Sequence, residues 1–240
     1  MGEGMEDQVE LWSATDQARA IRGGRLTSRE LLERILDRIH SLNPALNAVI
    51  TLDEEGARRD ADAADHEARR GAWRGPLHGL PITVKDALEV MGMRSTGGSV
   101  ALADHTPERD ATAVQSVRDA GAVIIGKTNV PEWSGDIQTF NQLFGTTNNP
   151  WATDRVPGGS SGGAATAVAC GMSAFEIGTD IGGSIRNPAH FVGICGHKPS
   201  FGLVPQRGYL DHVGGGTIDA DLNVVGPLAR SPEDLALLLE

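Results

Sequence analysis

The stretch Pro157–Pro188, PGGSSGGAATAVACGMSAFEIGTDIGGSIRNP, contains two serine sites flanked by glycine. The first is Gly158–Gly163 and the second is Gly182–Ser184. Glycine beside a serine permits a positive φ and lets another group approach closely. A flexible Gly/Ser linker is the alternative, but a linker would not enclose a helix-forming segment (Ala164–Ala169) and a strand-like run (Ala174–Ile177). The stretch therefore predicts two tight turns that hold their hydroxyl groups near one point.

Each turn offers chemistry of its own. Ser160 and Ser161 precede the helix-forming segment, so their hydroxyls and amides lie at a helix N-terminus, where free N–H groups favour negative charge. An N-cap needs only one serine and contributes about 1 kcal/mol, which leaves the second serine to be explained. Downstream, Ile181–Ser184 offers consecutive main-chain N–H groups, an arrangement that beside a nucleophile serves as an oxyanion hole.

A serine nucleophile needs a base, which is usually histidine. The seven histidines give no such pattern, and G-x-S-x-G does not fit Gly182–Arg186, so we interpret the histidines as structural. Lysine is the other option, because burial lowers the pKa of its amine and lets it act as a neutral base. Lys85 follows the apolar run Leu80–Val84 and is therefore a candidate for burial.

Three segments, Leu80–Asp86, Gly158–Gly163 and Gly178–Ser184, together resemble the amidase signature family. Ser160 and Ser184 are 24 positions apart and Lys85 precedes Ser160 by 75 positions, spacings that look like those of the family. The resemblance extends from about residue 76 to residue 231 and is plausible in the N-terminal helices. It also implies a cis peptide ahead of Ser160.

The resemblance implies a role for each residue of the site. Ser184 would be the nucleophile, Ser160 the bridging serine and Lys85 the base, with the backbone amides of Ile181, Gly182 and Gly183 as the oxyanion hole. Ser134 and Phe140 would be weaker candidates for the wall of the substrate cavity, and ordinary loop residues are the alternative for both. The implied reaction is hydrolysis of a carboxylic amide through a Ser184 acyl-enzyme, with Ser160 relaying protons to Lys85. The alternatives are a glutamine-hydrolysing subunit of an amidotransferase and an inactive fragment that acts as a scaffold.

The charge and the composition of the chain indicate which classes of binding partner are excluded. The formal net charge of −11 argues against nucleic acid and anionic membranes, and no apolar run approaches the roughly 20 residues needed to span a bilayer. The two cysteines, Cys170 and Cys195, form no metal-ligand grouping, and no secretory signal is visible, so we expect a cytoplasmic protein with reduced thiols. We expect no metal or other cofactor, a small-molecule amide as substrate, and allow for a homodimer.

The order of predicted elements indicates an α/β fold, a mixed β-sheet core flanked by helices on both faces. We expect a single domain over residues 1–240, with a helical N-terminal region (1–72) and a catalytic core (73–240) that is truncated at the C-terminus and has weak or no activity alone. In the N-terminal region, a capping box at Thr27–Glu30 opens a helix that Asn43-Pro44 should end, and a strand at 49–51 precedes a solvated helix over 53–70.

In the core, strands are predicted at 81–84 and 122–125 and a helix at 111–120. Two segments there receive no functional role. Gly121–Thr128 matches the phosphate-loop pattern around Lys127, but its variable residues are Ala-Val-Ile-Ile, which read as a buried strand, so we predict no nucleotide site. Residues 206–213 match no pattern and do not look like the glutaminase component of a glutamyl-tRNA amidotransferase.

Overall fold

The structure, a computed structural model, describes residues 8–212 and 219–240. Within these ranges it contains seven α-helices and eight β-strands. The helices are α1 (Ala14–Arg22), α2 (Ser28–Leu46), α3 (Glu54–Arg69), α4 (Thr112–Asp119), α5 (Gly162–Ala169), α6 (Arg186–Val192) and α7 (Pro232–Leu237). The strands are β1 (Val49–Leu52), β2 (Pro81–Lys85), β3 (Val123–Thr128), β4 (Phe140–Asn141), β5 (Gly145–Thr146), β6 (Glu176–Asp180), β7 (Cys195–Gly196) and β8 (Val224–Ala229).

Two three-stranded sheets form the centre of the fold. In the first, of order β1-β3-β2, β3 pairs antiparallel with β1 and parallel with β2. The second, of order β6-β8-β7, is antiparallel throughout. Strands β2 and β6 lie side by side, and α5 packs against both. The predicted α/β fold with a mixed sheet and packed helices is therefore confirmed, and its strands divide between two adjacent sheets.

The N-terminal helices follow the predicted pattern except at one boundary. The capping box is formed, because Thr27 Oγ1 accepts the Glu30 N–H and the Glu30 carboxylate accepts the Thr27 N–H. The prediction that Asn43-Pro44 ends α2 is wrong, since the helix runs through Pro44 to Leu46. A proline in the last turn removes few helical hydrogen bonds, and the Asn43 side chain bonds the main chain of Ala48 and Val49, which secures the turn that follows.

The boundary of β6 also differs from the prediction, which placed a strand at Ala174–Ile177. The observed strand starts and ends later because it pairs with β8, from Glu176 opposite Leu228 to Asp180 opposite Val224. A pairing partner almost 50 residues away, and not the local apolar run, sets its limits. Thr179 and Asp180, which lie beyond the predicted strand, are consequently strand residues.

The two segments without a predicted role are structural in the described residues. Val123–Thr128, which contains most of the phosphate-loop pattern, is strand β3 and is buried along its whole length. Residues 208–210 run beside residues 87–89, through hydrogen bonds from Glu89 N–H to Gly208 O and from Leu210 N–H to Ala87 O. Val213 lies outside the described residues.

Candidate active site

Lys85 is the last residue of β2 and its side chain is fully buried. Its Nζ donates to Ser160 Oγ at 2.7 Å and to Thr179 Oγ1 at 2.7 Å. Burial lowers the pKa of the Lys85 amine from 10.5 to about 7, against the opposing effect of the Glu176 and Asp180 charges. At and above neutral pH, a large fraction of this amine is uncharged and able to accept a proton.

Ser160 is held in contact with Lys85 by the turn before α5. The Gly159–Ser160 peptide is cis, and the N-cap of α5 is Ser161. Ser160 is therefore not the capping residue, and its buried hydroxyl points to the lysine. Gly159 is required here by close approach, because a Cβ at this position would lie 2.8 Å from the Ile137 main chain.

Ser184 lies in the turn between β6 and α6 and is 8% exposed. The two serine turns are joined by a main-chain bond, from Ser161 N–H to Ser184 O at 3.1 Å. Within residues 8–212 and 219–240, Ser184 Oγ has no hydrogen-bond partner. The structure thus brings Lys85 and Ser160 into direct contact and places the Ser184 turn beside the Ser160 turn, without a bond between the two hydroxyls.

The turn that precedes Ser184 is organised by Asp180. Its carboxylate accepts the N–H groups of Gly183 (2.8 Å) and Ile185 (3.1 Å) and pairs with the Arg186 guanidinium at 2.9 Å. Burial favours the neutral acid, but Arg186 and the main-chain donors together hold the pKa of Asp180 below its ordinary value.

Of the three amides proposed for the oxyanion hole, one is occupied in this structure. The Gly183 N–H donates to Asp180, whereas the N–H groups of Ile181 and Gly182 make no hydrogen bond to that carboxylate. The Ile181 side chain is 57% exposed, so this end of the turn faces solvent. The full set of three donors stays a prediction.

Ser134 and Phe140 belong to a segment that lies against the catalytic turns, since residues 136–138 approach Gly159 closely. Phe140 lines a cavity of about 310 Å³ together with Pro131, Glu132 and Asp136. Ser134 does not line this cavity, and its buried hydroxyl has no hydrogen-bond partner among the described residues. A role in the substrate cavity therefore fits Phe140 better than Ser134.

Two polar residues of this region received no role from the sequence: Thr179, which accepts from Lys85, and Glu176, which accepts the Lys85 main-chain N–H. Both lie in β6, whose residues are all buried. A polar side chain in a buried strand needs a partner, and this is the signal that could have found them.

Lys127, the lysine of the phosphate-loop pattern, is also fully buried, but it lies in β3 and does not contact Ser160. Its Nζ donates to Leu88 O (2.6 Å) and Ser95 Oγ (2.8 Å) and lies 3.2 Å from Asp86 Oδ1. Burial lowers the pKa of Lys127 as well. These contacts engage its amine within the fold, in agreement with the prediction that this pattern is not a nucleotide site.

The site joins a buried lysine to a serine in a glycine-rich turn of an α/β fold. This arrangement is typical of serine hydrolases that use lysine as the base. Comparison with known proteins gives the family. The amidase family profile matches residues 30–240. The chain belongs to this family, the amidase signature family, and the resemblance drawn from the sequence is confirmed.

Named relatives agree with this membership. The glutamyl-tRNA(Gln) amidotransferase A-type subunit from Roseiflexus sp. (strain RS-1) is 44% identical over 94% of this chain and 45% of its own length. A crystal structure of an amidase is 42% identical with a TM-score of 0.88, over 95% of this chain and 51% of that chain. The peptide amidase from Stenotrophomonas maltophilia is 38% identical with a TM-score of 0.86, over 95% and 47%.

These comparisons bear on two expectations. The chain spans about half the length of the relatives it matches. The chain is 44% identical to A-type subunits of glutamyl-tRNA(Gln) amidotransferase over 94% and 96% of its length, a likeness that residues 206–213 by themselves did not indicate. As for membranes, none of the helices in the described ranges has the length and apolar character to cross one.

Proposed function

We propose that this chain is the Ser–Ser–Lys part of an amidase, which hydrolyses a carboxylic amide to a carboxylate and an amine or ammonia. The observation that carries the proposal is the 2.7 Å contact between the fully buried Lys85 Nζ and Ser160 Oγ. An amine with a pKa of about 7 is suited to general-base chemistry near neutral pH, because it is available both to take and to return a proton.

In the first half of the reaction, neutral Lys85 takes the proton of Ser160 while Ser160 takes that of Ser184. The Ser184 oxygen attacks the amide carbonyl, and the C–O bond forms as the carbonyl π electrons move to oxygen. This step requires the Ser184 hydroxyl to come within hydrogen-bond distance of Ser160. The amides of Ile181, Gly182 and Gly183 are proposed to stabilise the oxyanion, with the Gly183 amide exchanging Asp180 for the substrate oxygen.

In the second half, the tetrahedral intermediate collapses and the C–N bond breaks. The proton held by Lys85 returns through Ser160 to the leaving nitrogen, which departs as an amine or as ammonia. Water then attacks the Ser184 ester carbonyl and gives one proton to the same relay. As the ester C–O bond breaks, the relay returns that proton to Ser184 Oγ, and the carboxylic acid product ionises as it leaves. No net charge accumulates in the buried site over the cycle, because each proton that Lys85 takes during an attack is returned when the tetrahedral intermediate collapses.

A second candidate is the glutamine-hydrolysing subunit of an amidotransferase, which the 44% identity to the Roseiflexus protein favours. That function requires partner subunits and releases ammonia from glutamine. An inactive scaffold is the third reading. We also propose a cytoplasmic location and a homodimer. We further propose that residues 1–240 form one domain, with a helical N-terminal region (1–72) and a core (73–240). The hydrogen bonds from Thr15 to Asp234 Oδ1 support the single domain, because they join α1 to α7.

The test is a panel of aliphatic, aryl and amino-acid amides, with glutamine included, in which amine or ammonia release is measured for the full-length wild-type protein and its Ser184→Ala variant. An amidase is expected to release amine from at least one amide other than glutamine, and the Ser184→Ala variant to release none. Release from glutamine alone would favour the amidotransferase function. Equal release by wild type and Ser184→Ala would refute the proposed nucleophile, and no release from any amide would favour the scaffold.

A further inference from the structure

The contact between β2 and β6, here called the seam, depends more on side-chain hydrogen bonds than the pairing of strands within each sheet does. These strands belong to different three-stranded sheets, although they lie side by side. One main-chain bond crosses the seam, from Ala174 N–H to Pro81 O at 3.0 Å. Two further bonds are made by β6-side side chains, which accept main-chain N–H groups of β2: Ser173 Oγ accepts from Thr83 (2.9 Å) and Glu176 Oε2 from Lys85 (3.1 Å).

Glu176 is the charged member of this seam. Its side chain is fully buried and accepts hydrogen bonds from Lys85 N–H, Ile177 N–H (2.8 Å) and Thr128 Oγ1 (2.7 Å). The donors come from β2, β6 and β3, so one carboxylate joins three strands at the position of the lysine. Three donors to one side chain match an ionised carboxylate, which only accepts. Burial raises the pKa of Glu176 to about 7, and these hydrogen bonds oppose that rise.

The neighbouring charges are mostly engaged with each other. Asp86, the residue that follows β2, has its Oδ1 3.2 Å from the Nζ of Lys127 in β3. Asp180, at the far end of β6, pairs with Arg186. Glu89, which also acts on Lys127, is bonded to His105. Glu176 has no cationic side chain within ion-pair distance in the described ranges, and its charge acts on the Lys85 amine together with that of Asp180, and on the Lys127 amine as well.

We propose that Glu176 is a positioning residue of this site, which fixes the main chain of Lys85 through its carboxylate and supplies the negative charge that acts on the Lys85 amine. The proposal rests on the proposed function, in which Lys85 is the base. Burial lowers the pKa of the amine, so a negative charge must lie close enough to keep that pKa near neutral and let the amine regain its proton. That counter-charge must also not be so close that it forms a direct ion pair. A carboxylate bonded to the lysine's own N–H, and not to its Nζ, satisfies both conditions.

The test uses Glu176→Gln, which keeps the shape of the side chain and one carbonyl acceptor but removes the charge. The protonation of Lys85 is followed directly by the ¹³Cε NMR signal of lysine, which is practicable because the chain has only three lysines, Lys85, Lys127 and Lys198. Signals are assigned with Lys127→Arg and Lys198→Arg. The expected result is that the Lys85 titration midpoint falls by about one pH unit in Glu176→Gln, since an opposing negative charge has been removed.

The matched control is Glu33→Gln on α2, which removes a carboxylate that pairs with Arg58 on the surface and should leave the Lys85 midpoint where it is. An unchanged midpoint in Glu176→Gln, or an equal shift in Glu33→Gln, would overturn the proposal. Because the NMR midpoint does not depend on turnover, this result is separate from the amide panel. If Ser184→Ala retains full hydrolysis, the amidase assignment fails while the effect of Glu176 on Lys85 is still measured.

Should Glu176→Gln fail to fold, Glu176→Asp keeps the charge and retracts it by one methylene from the Lys85 N–H. The positioning role predicts that the rate of covalent labelling of Ser184 by a fluorophosphonate falls about tenfold, which corresponds to one displaced hydrogen bond in the site. A labelling rate equal to that of the wild type would contradict the positioning role.

Discussion

Replacement of Lys85 by methionine should change how the stability of the protein depends on pH. Methionine is similar in length and unbranched, and it carries no charge. In the folded protein burial brings the pKa of Lys85 from 10.5 to about 7, which corresponds to about 5 kcal/mol of differential stabilisation between its two protonation states. The charged lysine therefore destabilises the wild type by this amount below pH 7, where it is protonated in both the folded and the unfolded chain.

The sign follows from proton counting. Between pH 7 and 10.5 the unfolded chain binds a proton at Lys85 that the folded protein does not, so the free energy of unfolding contributed by this group rises with pH. Methionine abolishes that rise. The difference in unfolding free energy, Lys85→Met minus wild type, should consequently fall by about 1.4 kcal/mol per pH unit across this window.

The absolute difference also contains a term that does not vary with pH. The variant leaves the hydroxyls of Ser160 and Thr179 without the lysine, at a cost of about 1–3 kcal/mol each. The slope is therefore the quantity to measure, by urea unfolding at constant ionic strength across the window. Ser184→Ala, which removes no titratable group, should give a difference that is flat in pH. A flat difference for Lys85→Met as well would refute the argument that Lys85 is buried with a lowered pKa.

Three further results are expected. Thr27→Ala, which breaks the capping box with Glu30, should lower the unfolding free energy by about 1 kcal/mol in urea, and no change would contradict the observed cap. Asp180→Asn should slow fluorophosphonate labelling of Ser184 at least about tenfold with the circular dichroism spectrum retained, because the ion pair with Arg186 that shapes the turn is lost; wild-type labelling would contradict this. Arg230→Met should destabilise the fold by about 3 kcal/mol in thermal unfolding, since it leaves three main-chain carbonyls without their donor; a loss below about 1 kcal/mol would count against it.

Local signals in the sequence predicted those parts of the fold that depend on neighbouring residues. The capping box at Thr27 marked the start of α2, because its partner is three residues away. The apolar run before Lys85 indicated a buried strand that ends in a lysine, and the structure has it. The same logic rejected the phosphate-loop reading of Lys127, because four consecutive apolar residues favour a strand over a loop.

Features that depend on distant partners were missed. The limits of β6 are set by β8, so Thr179, which lies beyond the predicted strand, could not be recognised as a strand residue, and neither Thr179 nor Glu176 could be placed beside the lysine. Their contacts with Lys85 join residues more than 90 positions apart. Pro44 was taken as the end of α2 on the general behaviour of proline, whereas the Asn43 side chain organises the turn after it.

The central claim is that a buried amine activates a serine through a second serine, and site-mapped labelling tests it most directly. The chain is treated with a fluorophosphonate at pH 8, digested, and the modified residue identified by mass spectrometry in the wild type, Lys85→Met and Ser160→Ala. We expect a single adduct on Ser184 in the wild type and a loss of labelling rate of at least about a hundredfold in both variants. Labelling of Ser184 at the wild-type rate in Lys85→Met would contradict it.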